Sequence, residues 1–214
     1  MDRHVFEFLA GRVCLDFINT VSWRESETAA VERLTSYSEI LAWAAAGGVL
    51  DRQAARRLRA RALRHPKEAE AAHTDAVRFR DALYRTICAE LEGAASDPAD
   101  LAKMNARISE AAAFRRLVPS EAGFVWRCDE SNLRAPLWTI ALSAADLLPS
   151  PGFARVRRCG LEDCGWLFLD TSKNKTRRWC RMEICGNRHK AQRFYEKKKL
   201  RDRGTPPSQT TRPH

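Results

Sequence analysis

The sequence predicts a mainly α-helical fold with small β elements. An N-terminal hairpin and a helical body occupy residues 1–150, a compact unit of hairpin and helix occupies 151–200, and an unstructured tail occupies 201–214. Three observations carry this. Apolar residues recur at helical spacing through much of the first 150 residues. Pro149-Ser150-Pro151-Gly152 breaks the chain where that pattern stops. Four of the seven cysteines crowd between Cys159 and Cys185, in a stretch too polar to build a core alone. The 44% hydrophobic and 30% charged fractions exclude a mainly disordered or collagen-like chain. No window approaches the ~20 consecutive apolar residues of a membrane helix. The N-terminus has no basic segment leading into a long apolar core, so a cytoplasmic protein without a membrane partner is expected.

The elements follow in order. Val5–Leu9 and Arg12–Asn19, joined by Ala10-Gly11, predict a β-hairpin. Ser36–Ala46 predicts a helix stopped by Gly47-Gly48. Asp51 caps a second helix, which runs to about Arg64. Ala69–Leu91 carries Val77, Leu83, Tyr84, Ile87 and Leu91 as one stripe. Pro98 opens a helix through Phe114. Phe124–Cys128 predicts a short strand, and Pro136–Leu148 the last helix of this unit. No Gly-rich phosphate loop or nucleophile elbow occurs, so no enzyme is expected. Asp16 and Asn19 stand out within an apolar run, and buried polar groups need partners. Either they tie the hairpin to a helix or turn, or they line a ligand pocket.

Charge separates the two units. Residues 1–150 hold 20 Lys and Arg against 21 Asp and Glu, while residues 151–214 hold 17 against 6. The whole net charge of +10 therefore comes from the back, which points to a polyanionic partner.

Cys159 and Cys164 form one C-x4-C pair, and Cys180 and Cys185 another, with fifteen residues between the pairs. In a reducing compartment such a quartet is a metal site, not a disulfide framework. Four thiolates suit one tetrahedral zinc ion per chain, and a full protein ligand set makes it structural. Trp166–Leu169 and Thr176–Cys180 predict a hairpin that returns the second pair to the first, with a helix over Gly186–Leu200. This is a treble-clef-like finger. On its helix Lys190, Arg193 and Lys197 share one stripe, Arg188, Tyr195 and Lys199 lie beside it, and Phe194 and Ala191 are placed to pack on the hairpin. Arg177, Arg178, Arg188, Lys190, Arg193 and Lys197 are the candidate nucleic-acid contacts. Trp166 and Trp179 either cover the metal site or stack on unpaired bases.

These residues carry a resemblance. Cys185-Gly186-Asn187-Arg188, with Asp170, Ser172, Asn174, Arg178-Trp179-Cys180 and Met182, resembles the CGNR-type zinc finger. The run FEFLAGRVCLDFINTV at residues 6–21 resembles the ABATE domain found before that finger. The resemblance implies a stress-induced bacterial transcription regulator that binds DNA through the finger. Within the motif, Cys185 is a ligand and Gly186 permits a positive φ or a close approach. Asn187 caps the helix. Arg188 either pairs with Asp170 or contacts a phosphate.

The reading that follows is a DNA-binding regulator. Its front unit senses a small-molecule effector or makes a homodimer. A zinc-dependent protein-interaction or redox-responsive adaptor is the alternative. A His–Asn–His nuclease would use Asn187 and His189, but the segment lacks a second metal-binding histidine.

Overall fold

The computed structural model describes residues 6–121 and 123–204. Its helices are α1 (Val13–Ile18), α2 (Tyr37–Ala46), α3 (Arg52–Arg64), α4 (Pro66–Leu91), α5 (Pro98–Ala113), α6 (Ala135–Leu147) and α7 (Asn187–Gly204). Six short strands pair two by two and antiparallel: β1 (Val21–Ser22) with β2 (Val31–Glu32), β3 (Arg115–Ser120) with β4 (Gly123–Cys128), and β5 (Val156–Arg158) with β6 (Leu167–Leu169).

Local chemistry explains the helical body. Asp51 accepts the Ala54 N–H and Asp97 the Ala99 N–H, each meeting an N-terminal donor that the helix leaves unpaired. Pro66 and Pro98 open α4 and α5, where a missing N–H costs nothing. Leu15, Phe17, Trp43, Phe79, Leu83 and Trp138 are fully buried between the helices. The same cluster continues through Val156, Leu161, Leu167 and Phe168 into the four cysteines, so both ends of the chain share one apolar core. Arg80, 2% exposed, is held there by Glu32 at 2.6 and 2.8 Å, which pins the β1–β2 segment to α4.

The expected N-terminal hairpin is not formed. Residues 12–19 hold α1, and Phe6–Leu9 have no regular structure; Val5 lies outside the described residues. An unbroken apolar run does not distinguish a buried strand from a buried helix, and Cys14–Ile18 is enclosed on all sides. Gly11 turns the chain at φ +79°, and Asp16 folds the preceding segment back by accepting the Ala10 N–H at 2.9 Å. One strand-like bond remains, from Leu169 N–H to Ala10 C=O at 2.8 Å.

The expected strand at residues 124–128 is present as β4, with a partner, β3, whose arginines and Pro119 conceal any alternation. The hairpin of the cysteine unit also differs from expectation. β6 pairs with β5 in front of it, in the register Val156↔Leu169 to Arg158↔Leu167, and residues 176–180 form no strand. The return segment takes its hydrogen bonds elsewhere. Buried Asp170 accepts from Ser172 N–H, Ser172 Oγ and Arg177 N–H, which closes a polar turn in place of a ladder. α7 runs on through residues 201–204, into the region expected to be unstructured, and residues 205–214 lie outside the described residues.

Candidate metal centre and the cavity beside it

Two short loops bring the four cysteines together. Cys159 follows β5, and its N–H reaches Trp166 C=O at 2.8 Å. Cys164 N–H closes on Leu161 C=O at 3.0 Å, and Gly165 then turns at φ +69°. Cys180 leaves the polar return segment. Cys185 lies in a single π-turn, Met182–Gly186, that leads into α7.

All four sulfurs lie within 4.8 Å of one another. The Sγ–Sγ separations are 3.7 Å for Cys164–Cys180, 3.5 Å for Cys180–Cys185 and 3.7 Å for Cys164–Cys185. A tetrahedral zinc site with ~2.3 Å bonds has sulfur–sulfur edges of about 3.8 Å, so the donor set fits the ion. A disulfide needs about 2.05 Å, so the cysteines are free thiols. Hydrogen bonding to the Cys159 and Cys185 sulfurs, together with burial, pushes the Cys164 and Cys180 thiols up. A divalent cation reverses that balance by favouring thiolate. The site takes one structural zinc ion, with four protein ligands and no position left for substrate.

The surroundings hold the loops. Cys180 N–H points at the Cys159 sulfur at 3.5 Å. Arg177 stacks over Phe168 at 4.3 Å and donates to the carbonyls of Trp179 and Cys180. That guanidinium, expected on nucleic acid, is occupied within the finger. Gly186 has no positive φ; a Cβ there would lie 2.4 Å from the Met182 sulfur, so the thioether packs against the glycine and would have to swing away. Asn187 does not cap α7 from outside. It is the first helical residue, and its amide donates to Glu183 C=O at 3.1 Å. Arg188 meets neither Asp170 nor open solvent alone: it lies 4.6 Å over the Trp23 ring and 3.9 Å from Asp163.

The finger is tied to the front unit by backbone-like bonds. Asn19 Nδ2 donates to Leu167 C=O at 2.8 Å, and Leu167 N–H donates to Asn19 Oδ1 at 2.9 Å. The side-chain amide thus acts as a neighbouring strand for β6. Arg24 N–H reaches Cys164 C=O at 3.3 Å, and the Trp166 indole N–H reaches Val21 C=O at 3.0 Å. A Cβ at Gly165 would sit 3.0 Å from both Arg24 Cβ and Glu25 Cγ, so glycine permits this contact.

Residues 11–151 match the ABATE family model, described as "Putative stress-induced transcription regulator". The chain belongs to the ABATE family. Residues 155–198 match the CGNR zinc finger model. A search of curated proteins finds no match.

Between the ABATE unit and the finger lies a cavity of about 100 Å³. Asp16, Asn19 and Trp43 of the ABATE unit line it together with Cys164, Trp166, Cys180, Arg181, Ile184 and Cys185 of the finger. Both sequence-flagged polar residues of α1 and its following turn therefore reach this wall. Asn19 is consumed by β6, whereas Asp16, among the described residues, keeps only the backbone N–H donors of Ala10 and Leu9. Arg33 and Trp43, also in the lining, carried no signal in the sequence, because each reads locally as ordinary loop or core.

Burial pushes Asp16 up to about 6, against the lowering effect of the Ala10 and Leu9 N–H groups. Its value in the folded ABATE unit lies above the unfolded one, so ionisation opposes folding. The contribution of Asp16 to stability is then greatest below about pH 4, falls as pH rises to about 6 and levels off above, by up to ~3 kcal/mol. Asp16→Asn keeps an acceptor for Ala10 and removes that slope. Unfolding of both proteins followed from about pH 5 to 7 should show the variant gaining on the parent as pH rises; parallel curves would contradict it.

α7 makes little use of the ABATE core. Every described side chain from Lys190 to Lys199 is exposed, including Phe194 at 66%, which was expected on the hairpin with Ala191. Lys190, Arg193 and Lys197 make no ion pair among the described residues. Arg178 is exposed beside the Trp179 ring at 5.3 Å. Trp179 is half-buried and packs near His189, and Trp166 faces the cavity, so both cover the finger rather than project from it. No helix among the described residues is long and apolar enough to cross a membrane.

Proposed function

We propose that this ABATE-family protein is a cytoplasmic bacterial transcription regulator. Its finger, residues 151–200, docks on duplex DNA through α7, while residues 1–150 sense a small effector or bring two copies together. The observation that carries this is the bare cationic helix. α7 holds eight Lys or Arg against two acids, spans ~27 Å and, among its described side chains, presents no buried face. An 18-residue helix is marginal in water without tertiary support, so a partner that neutralises it gains both contacts and order. Zinc anchors the base of that helix. Arg178, Lys190, Arg193 and Lys197 are the phosphate-facing set, and Arg177 and Arg188 position the finger instead.

Titration of full-length zinc-loaded protein with duplex DNA, repeated across salt concentrations, tests the reading. Affinity should fall steeply with salt. In Lys190→Gln/Arg193→Gln/Lys197→Gln the log–log slope should flatten by about 2.7, at ~0.9 for each lost phosphate contact. Absence of binding at low salt, or an unchanged slope in the triple variant, would overturn it. The burial of the four cysteines, 3–6% exposed, speaks against the redox-responsive adaptor, because an oxidant has little access.

A further inference from the structure

We infer that the cavity between the two units is a binding site for a small zwitterion of the amino-acid class, bearing one ammonium and one carboxylate group. This rests on the reading of residues 1–150 as a sensing unit and gives the sensed molecule a chemistry. Among the described residues, four charged side chains line the cavity: Glu7, Asp16, Arg33 and Arg181. Glu7 and Arg181 neutralise each other at 2.6 Å. Asp16 and Arg33 remain, and neither forms an ion pair among the described residues. A buried carboxylate without a counter-charge is costly, and Asp16 is only 8% exposed. Arg33 spends its Nε on Ser22 Oγ, and its two terminal nitrogens have no partner among the described residues.

Among the described residues the lining therefore offers one unpaired anion and one unpaired cation. A simple anion would leave Asp16 unpaired and be repelled by it and by the thiolates of the zinc centre. A simple amine would leave Arg33 unanswered. A zwitterion answers both, with its ammonium toward Asp16 and its carboxylate toward Arg33. The aromatic walls, Trp23, Trp43 and Trp166, favour an ammonium group. At about 100 Å³ the space holds several waters. That is below the ~300 Å³ where sites for drug-sized ligands begin, so nucleotides and large effectors do not fit. The far wall is formed by the loops that carry Cys164, Cys180 and Cys185, so an occupant would bridge the front unit and the finger.

The test is calorimetry on full-length zinc-loaded protein with glycine, L-alanine and L-serine as probes, and acetate and methylammonium as single-charge controls. At least one zwitterion should bind about tenfold or more tighter than either control. Asp16→Asn and Arg33→Gln should each weaken it by a similar factor while zinc content stays at one per chain. Binding of none of the zwitterions, or equal binding of acetate alone, would overturn the inference, as would zwitterion affinity unchanged in Asp16→Asn. Parallel DNA titration separates the two claims. Salt-steep DNA binding without zwitterion binding removes this site and leaves the regulator standing. Zwitterion binding that depends on Asp16 and Arg33, in a chain that ignores DNA, supports the site and removes the regulator.

Discussion

Replacing Cys180 by serine is expected to abolish stoichiometric zinc and unfold the C-terminal third of the chain. Structural zinc sites of this kind contribute on the order of 10 kcal/mol. A domain of this size holds a net stability of only about 5–15 kcal/mol, so the loss cannot be absorbed locally. Cys180 is the sulfur most bound up with the others, at 3.5 Å from Cys185 and 3.7 Å from Cys164, with its own N–H on Cys159. Without the cation, the remaining buried thiols return to their neutral forms and the two loops have nothing to share. Amide exchange across residues 156–186 should rise to unprotected rates. The front helices should also lose stability, because Val156, Leu161, Leu167 and Phe168 belong to their core. Cys88→Ser, at a half-buried cysteine outside the quartet, is the control and should keep both zinc and protection. A Cys180→Ser protein that holds one zinc against a mild chelator would contradict the account.

The second large effect is expected at Asn19, a residue that never touches the metal. Its amide satisfies both backbone groups of Leu167, which is fully buried. In Asn19→Ala an N–H and a C=O are left buried and unpaired, each costing about 1–3 kcal/mol, so a loss of ~2–6 kcal/mol is expected in denaturant unfolding. Asn19→Asp should be worse at neutral pH. The carboxylate still accepts from Leu167 N–H but faces Leu167 C=O without a proton to give, and its charge is buried. Acidification should restore part of that loss, since the protonated acid can donate. Zinc should be retained in both variants, which separates this junction from the metal site. Unfolding curves that superimpose on the parent would show that Asn19 does not join the units.

Much of the helical body was legible because its signals are local. Asp51, Asp97, Pro66 and Pro98 mark helix starts by chemistry contained within four residues, and Gly47 marks a stop. The cysteine quartet was legible for the same reason: two equal spacings speak for themselves. What escaped was decided by distant partners. Whether residues 13–18 are strand or helix depends on what encloses them, and their apolar run is the same either way. Asn19 meets Leu167 across 148 positions, and no local pattern announces that bond. β5 is three residues long and two are arginine, so its pairing with β6 carries no alternation to read. Net charge located the cationic segment, but did not separate Arg177, occupied with the carbonyls beside Cys180, from Lys190, exposed on α7. The polar residues in the run from 14 to 19 did point to the inter-unit cavity; its other charged wall, Arg33, comes from a loop with no motif.

One zinc ion, held only by the sulfurs of Cys159, Cys164, Cys180 and Cys185, fixes the base of the cationic helix. Zinc-edge X-ray absorption on protein purified without added metal, normalised to protein concentration, tests it most directly. The expected spectrum shows about four sulfur scatterers at ~2.3 Å and one zinc per chain. Nitrogen or oxygen among the nearest scatterers, or metal well below one per chain, would rule out the four-sulfur site.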